Sequence, residues 1–399
     1  MHVPDGFINA PVSVATGVVA VGAVAVSLRG ARRELGERTA PLAGLVAAFI
    51  FAVQMLNFPV GAGTSGHLLG GALAAILVGP YTGVLCISVV LLMQAVLFAD
   101  GGLTALGTNI TTMGVVGVVV AYGVFRGLVK VLPRRRSSLT ASAFVAAVVS
   151  VPVAAASFVG VYALGGTADV ALGKVLGAMV GVHVLIGIGE AIITALTVGA
   201  VLSVRPDLVY GARGLTAPLT LRTGAAPAVP GTPAAAEQSL AARTETTAPA
   251  PQPEPAPAAH RPAGKVWLAG LGATLACAGV ISFYASAHPD GLEKVAAEFG
   301  FEEQATEHDL AESPLADYGV ADVDNARISG GLAGVVGVGA TLAVGSGVFL
   351  TVRRRRSGSA TPADTTAADT TPADTAPAPG ANPDGGSVAA GPSPSPENR

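Results

Sequence analysis

Apolar residues are gathered into long uninterrupted runs, without the alternation or narrow stripes of a water-soluble fold. The runs cover residues 8–28, 41–58, 81–99, 109–129, 139–164, 176–204, 266–287 and 328–352. Most reach the roughly 20 residues that a helix needs to cross the hydrocarbon of a bilayer. A ninth run, 67–79, would be only about 20 Å long as a helix. The pattern predicts an all-α, polytopic integral membrane helix bundle with about seven spans, followed by a two-span C-terminal unit.

The positions of the basic residues decide whether the short run crosses. They cluster at Arg29, Arg32, Arg33 and Arg38, at Arg126, Lys130, Arg134, Arg135 and Arg136, at Arg205 and Arg213, at Arg261 and Lys265, and at Arg353, Arg354, Arg355 and Arg356. Neither Lys nor Arg occurs from residue 40 to residue 125. If every cluster faces the cytoplasm, an even number of crossings separates neighbouring clusters. Three full-length runs lie between Arg38 and Arg126, so the short run must cross as well. It can do so if the Gly-rich stretch 59–66 enters the membrane inside the protein, where irregular backbone is tolerated. His67 is then expected to open a short helix at the tip of an inserted loop. The N-terminus and that loop share the extracytoplasmic side, and the C-terminus is cytoplasmic. No basic residue precedes the first run, so it reads as a retained span that leaves Met1 and His2 in place.

Between and after the spans the composition changes. Residues 213–263 are rich in Ala, Pro and Thr and read as a disordered linker, and residues 353–399 read as a disordered cytoplasmic tail. These bound a membrane domain at 1–212 and a second unit at 264–352. The loop 288–327 within that unit carries 11 Asp and Glu against Lys294 and Arg327. Asp290–Gly291 is a turn signal, and Leu292, Val295, Ala296 and Phe299 follow at helical spacing. Two readings stand: a solvated acidic loop, or a funnel that concentrates cations.

The chain is 51% hydrophobic and only 12% charged, far from a soluble domain or a nucleic-acid binder. Cys86 and Cys277 are isolated within apolar runs and form neither a thiolate metal motif nor a disulfide framework. There is no Walker A, HExxH or GxSxG motif, so any ATP hydrolysis belongs to another chain and the protein is not read as an enzyme.

The remaining polar residues point to a cation. The α-amine of Met1, the amide nitrogen of His2 and its imidazole Nδ1 can close fused five- and six-membered chelate rings in one plane. A fourth nitrogen from His67 would complete square-planar coordination, a geometry that favours Ni(II) or Cu(II) and also accommodates Co(II). The residues alone leave open that position 2 is simply a histidine and that His67 merely starts a helix. Asn57, Ser65, Gln94 and Asn109 could orient the two histidines from behind. His183 and Glu190 lie two turns apart on one helical face, and read either as an intramembrane proton or ion relay or as a structural pair.

MHVPDGF at the start, NFPVGAGTSGHLLGG at 57–71 and HVLIGIGEAIITALTVG at 183–199 resemble the substrate-capture components of cobalt/nickel energy-coupling-factor transporters, the CbiM/NikM family. HPDGLEKVAAEFGF at 288–301 resembles the PDGLE accessory domain, fused here at the C-terminal side. The first likeness covers about residues 1–210 and the second about 265–350. It implies that Ni2+ or Co2+, the latter for cobalamin biosynthesis, is the transported substrate at the cell membrane. It also implies that Met1, His2 and His67 hold the metal, and that the partners are a transmembrane coupling subunit and two ABC ATPase subunits. The alternative is a stand-alone proton-coupled secondary cation transporter built on His183 and Glu190.

Overall fold

The apolar runs become helices whose ends are set by ordinary signals. In the computed structural model, which describes residues 1–36, 39–61, 63–133, 135–213 and 264–357, α1 spans Ala10–Glu34. Asn9 caps it by accepting the Val12 N–H at 3.1 Å, and Arg32 and Arg33 sit in its last turn, where cations offset the helix dipole. α2 (Thr39–Gln54) leads into a small antiparallel hairpin, β1 (Phe58–Gly61) and β2 (Thr64–Gly66). α3 (Gly71–Val78) and α4 (Pro80–Phe98) follow, the latter with proline in its first turn. α5 (Leu106–Asn109) runs through a π-helical segment, Ile110–Val116, into α6 (Gly117–Val131). α7 (Arg136–Gly165) and α8 (Leu172–Val204) form a long hairpin. After the linker come α9 (Gly264–Gly279), the short α10 (Gly291–Phe299) and α11 (Ala326–Ser357). The linker and the tail expected from the sequence lie outside the described residues, apart from Arg213 and the few residues up to Ser357.

Seven of these stretches are long and apolar enough to cross a membrane, and α2 and α3 are shorter. The chain is an all-α polytopic membrane bundle. The helices sort by depth within it. The most apolar window of α4 is 78% buried against 22% for α1. Val14, Val18 and Val21 of α1 point outward with about two-thirds of their surface free, as lipid-facing residues do. Every residue of α3 is buried. At one end of the bundle the Glu34 carboxylate accepts the Tyr81 and Thr82 N–H groups and the Thr82 hydroxyl, which ties the end of α1 to the start of α4.

Two details of the sequence reading change. His67 does not open a helix: residues 67–70 belong to no regular element, and α3 begins only after Gly70, whose φ of +82° breaks helical continuity. The loop before His67 is the β1–β2 hairpin, which turns through Gly61 and Gly63 at φ +126° and +70°. Glu190 of α8 accepts the Leu69 N–H at 2.6 Å and the Gly70 N–H at 3.2 Å. These N–H groups precede the first turn of a buried helix, so the carboxylate satisfies donors that would otherwise be orphaned.

The acidic segment is folded onto the opposite end of the bundle. The Ser286 N–H reaches the Asn57 carbonyl at 2.7 Å, the Ser65 N–H reaches the Pro289 carbonyl at 2.9 Å, and the Thr306 N–H reaches the Asp5 carbonyl at 2.9 Å. Leu292, Val295, Ala296 and Phe301 turn inward and are buried. Phe301 packs between Phe7 and Tyr162, at 5.2 and 5.1 Å between ring centres. Asp290 is the N-cap of α10, in a reciprocal capping box with Glu293.

Candidate metal site

The first nine residues are threaded between the helix ends by hydrogen bonds to side chains and main chain. The Asn109 side chain clamps Val3, with Oδ1 accepting the Val3 N–H at 2.9 Å and Nδ2 donating to the Val3 carbonyl at 3.1 Å. That carbonyl also accepts the Gly102 N–H at 2.9 Å. The Asp5 carboxylate accepts the Leu103 and Thr104 N–H groups and the Thr104 hydroxyl. Further along, the Asn9 N–H meets the Gly165 carbonyl and the Thr167 N–H meets the Phe7 carbonyl. Gly6, at φ +91°, passes so close to the Gln304 carbonyl that a side chain there would clash.

This threading delivers the Met1 amine to His67. The ammonium nitrogen is 2.5 Å from His67 Nε2 and donates to Asp290 Oδ2 at 2.7 Å. His67 Nδ1–H donates to the Leu68 carbonyl at 3.0 Å, which leaves the lone pair on Nε2, facing the amine. The His2 ring stacks on the His67 ring with 4.9 Å between centres and 5° between planes. Met1 and His67 are buried. The three residues singled out from the sequence therefore converge, although they are 66 positions apart in the chain at the widest.

The orientation of His2 differs from the chelate drawn from the sequence. Its Nδ1 stands 3.1 Å from Asp100 Oδ1, while Nε2 is buried without a partner. The other named polar residues divide. Asn109 holds the N-terminal strand. Ser65 donates its hydroxyl to the His288 carbonyl at 2.7 Å and so fixes the hairpin to the acidic segment. Asn57 lines the cavity beside the histidines. At Gln94 it is the main-chain carbonyl that accepts the Asp100 N–H, at 3.1 Å. His183 Nδ1 bonds to the Met179 carbonyl, and both Glu190 oxygens are engaged by backbone N–H groups.

Two carboxylates were not singled out from the sequence. Burial alone would raise the Asp290 carboxyl, but the Met1 ammonium outweighs it and holds the group well below the ordinary range. Asp100 follows the same logic: burial pushes it up, the charge and hydrogen bond of His2 pull it down further, and the Tyr318 hydroxyl adds a bond at 2.5 Å. The D-x-x-E spacing of Asp290 and Glu293 was a legible capping signal. Nothing local marked Asp100. A cavity of about 540 Å³ opens beside the two histidines, lined among others by Asp100, Asp290, Glu293 and Tyr318. Among the described residues no group of three His, Cys, Asp or Glu side chains converges as a metal set; a site here must draw on main-chain nitrogen.

Residues 2–208, more than half of the chain, match the family model described as the cobalt uptake substrate-specific transmembrane region. The chain belongs to this family. Residues 264–354 match the PDGLE domain, so the family's transmembrane region is fused here to a second unit with two candidate spans. A metal transport protein of Haloquadratum walsbyi is 40% identical over 214 residues, 53% of this chain and 94% of that protein. The cobalt transport protein CbiM of Sorangium cellulosum is 33% identical over 217 residues, 52% of this chain and 94% of that one. The fused nickel transport protein NikMN of Rhodobacter capsulatus is 44% identical over 125 residues, 31% of this chain and 36% of that protein. A solved transition-metal transporter is 26% identical with a TM-score of 0.46, covering 51% of this chain and 93% of the other.

Proposed function

We propose that this multi-pass membrane protein is the substrate-capture component of an energy-coupling-factor importer for nickel or cobalt. The observation that carries this reading is the meeting of the Met1 amine with His67 Nε2 at 2.5 Å beneath the stacked His2 ring. Two nitrogens bound at right angles to one ion at about 2.0 Å stand about 2.8 Å apart, so these two are near the spacing of adjacent ligands. The His2 amide nitrogen and, after the ring turns, its Nδ1 complete four nitrogens in a plane. Ni2+ or Co2+ is the substrate, not a resident cofactor.

The segregated basic residues support an extracytoplasmic N-terminus and site, with the C-terminus in the cytoplasm. ATP hydrolysis falls to two separate ABC ATPase subunits acting through a transmembrane coupling subunit. A proton-coupled carrier built on His183 and Glu190 is disfavoured because the carboxylate of Glu190 is spent on the Leu69 and Gly70 N–H groups.

The test is metal binding by the purified full chain, with the N-terminal residue verified by intact mass. Inserting one proline between Met1 and His2 separates the amine from the His2 amide by a nitrogen with no proton to lose, so the fused chelate rings cannot close and tight Ni2+ and Co2+ binding is abolished. His67→Ala loses binding while the helix content holds. Unchanged binding after the insertion sinks the site. Uptake into vesicles that proceeds without ATP and without partner subunits sinks the importer assignment.

A further inference from the structure

We propose that Asp290, supplied by the C-terminal unit, is a positioning residue for the metal site: its carboxylate holds the Met1 amine against His67 before the ion arrives and keeps hold of it afterwards. This rests on the reading of Met1, His2 and His67 as the metal's donors.

The two oxygens of Asp290 have separate tasks. Oδ1 accepts the Leu292 and Glu293 N–H groups at 2.7 and 2.9 Å and so caps α10. Oδ2 accepts from the Met1 ammonium at 2.7 Å and lies 3.6 Å from His67 Nε2. With Oδ1 spent on the helix, the carboxylate cannot swing, and Oδ2 is aimed by α10. The helix start is itself pinned. Glu293 Oε2 accepts the Asp290 N–H at 2.8 Å, and Ser65 bonds to the His288 and Pro289 carbonyls. Gly291 lies against His183 and Ile186, where an added Cβ would stand 2.9 and 3.0 Å from their side chains. Ser65, in β2, is two residues before His67. The C-terminal unit thus grips the chain beside His67 and the amine that His67 must meet, and fixes their separation from both sides.

A terminal amine is the least constrained nitrogen in any polypeptide, and ordering it is a large part of the cost of using it as a ligand. A metal-bound primary amine keeps two N–H bonds, so one can still face Oδ2. The carboxylate then stays as an acceptor beside the cation, as outer partners of metal ligands do.

Asp290→Asn and Asp290→Ser separate this role from helix capping, because both residues are good N-caps and neither offers the charge. Each is expected to keep the wild-type helix content and the ligand-field absorption band of bound Ni2+. Ni2+ affinity of the full chain, measured by competition with a chelator, is expected to fall about tenfold to hundredfold, the range of one charge-assisted hydrogen bond. In the metal-free wild type the Met1 amine is expected to react with an amine-directed acylating reagent at least tenfold more slowly than in denatured chain. Wild-type affinity in either folded variant overturns the proposal, as does an amine that labels as fast in the folded chain as in the denatured one. If His67→Ala still binds Ni2+ tightly, the donor assignment itself has failed, which is a different result.

Discussion

Asn109→Ala tests whether docking of the N-terminal strand is coupled to metal capture. Asn109 is 1% exposed and spends its whole side chain on Val3, which is itself fully buried. After truncation the Val3 carbonyl keeps the Gly102 N–H as a partner, but the Val3 N–H loses its acceptor. A buried donor without a partner costs about 1–3 kcal/mol. Val3 is two residues from the amine, so this penalty falls on the docked strand that places Met1 and His2, and hardly on the helices. At about 1.4 kcal/mol per factor of ten, Ni2+ and Co2+ affinity should weaken about fivefold to 150-fold. Asn109→Asp should be worse, because a carboxylate oxygen would then face the Val3 carbonyl where an N–H now donates. The assay is chelator competition on detergent-purified protein, with circular dichroism to confirm that helix content is unchanged. Parental affinity in Asn109→Ala with an intact fold would refute the coupling between strand docking and the site.

Two other predictions follow from the same region. In Gly102→Ala the new Cβ would stand 2.3 Å from both the Asp5 backbone nitrogen and Asp5 Oδ1, so the N-terminal strand must lift; tight metal binding should be lost with helicity retained, as titration and circular dichroism together would show. Asp290 and Asp100 are both held below the ordinary carboxylate range, so their contribution to the stability of the metal-free chain is complete above about pH 4 and is lost as the pH falls from there towards their folded values. Melting temperatures between pH 7 and pH 3 should hold and then drop, and Asp290→Asn should flatten the acid limb.

The helices were legible because a bilayer demands long apolar runs, and the runs at 81–99, 139–164 and 176–204 end within four residues of α4, α7 and α8 at either end. The short α3 was legible only through charge, since its length alone is ambiguous. Its start was misplaced because hydropathy does not register the positive φ of Gly70 or the carboxylate of Glu190 that arrives from 120 residues away. The site was half legible. Met1, His2 and His67 carry chemistry that can be read from residue type. Asp290 and Asp100 are ordinary acidic residues until folding sets them beside the amine and His2, and the partner of Met1 lies 289 positions along the chain. Leu292, Val295 and Ala296 did announce a helix with an inward face. That face is why the acidic segment packs onto the bundle and does not remain a solvated loop.

Those two carboxylates also give a reason for a divalent substrate. In the metal-free arrangement the Met1 ammonium faces Asp290 and His2 faces Asp100. Counting both imidazoles in the neutral form that binds metal, the group carries one positive and two negative charges. On the proposed four-nitrogen site, a dication enters as one proton leaves the ammonium and one leaves the His2 amide, as metal binding to protonated donors requires. The result is two positive charges against three negative ones, so the local total is the same before and after. A buried site resists any change in net charge because each uncompensated charge must be desolvated. A monovalent ion exchanged for the same two protons would leave the site one charge more negative, and a trivalent ion one charge more positive. Nitrogen donors and planar geometry favour late transition metals, while the balance set by Asp100 and Asp290 favours a double charge. One of those two residues comes from the fused C-terminal unit, and the other is held by it through Tyr318.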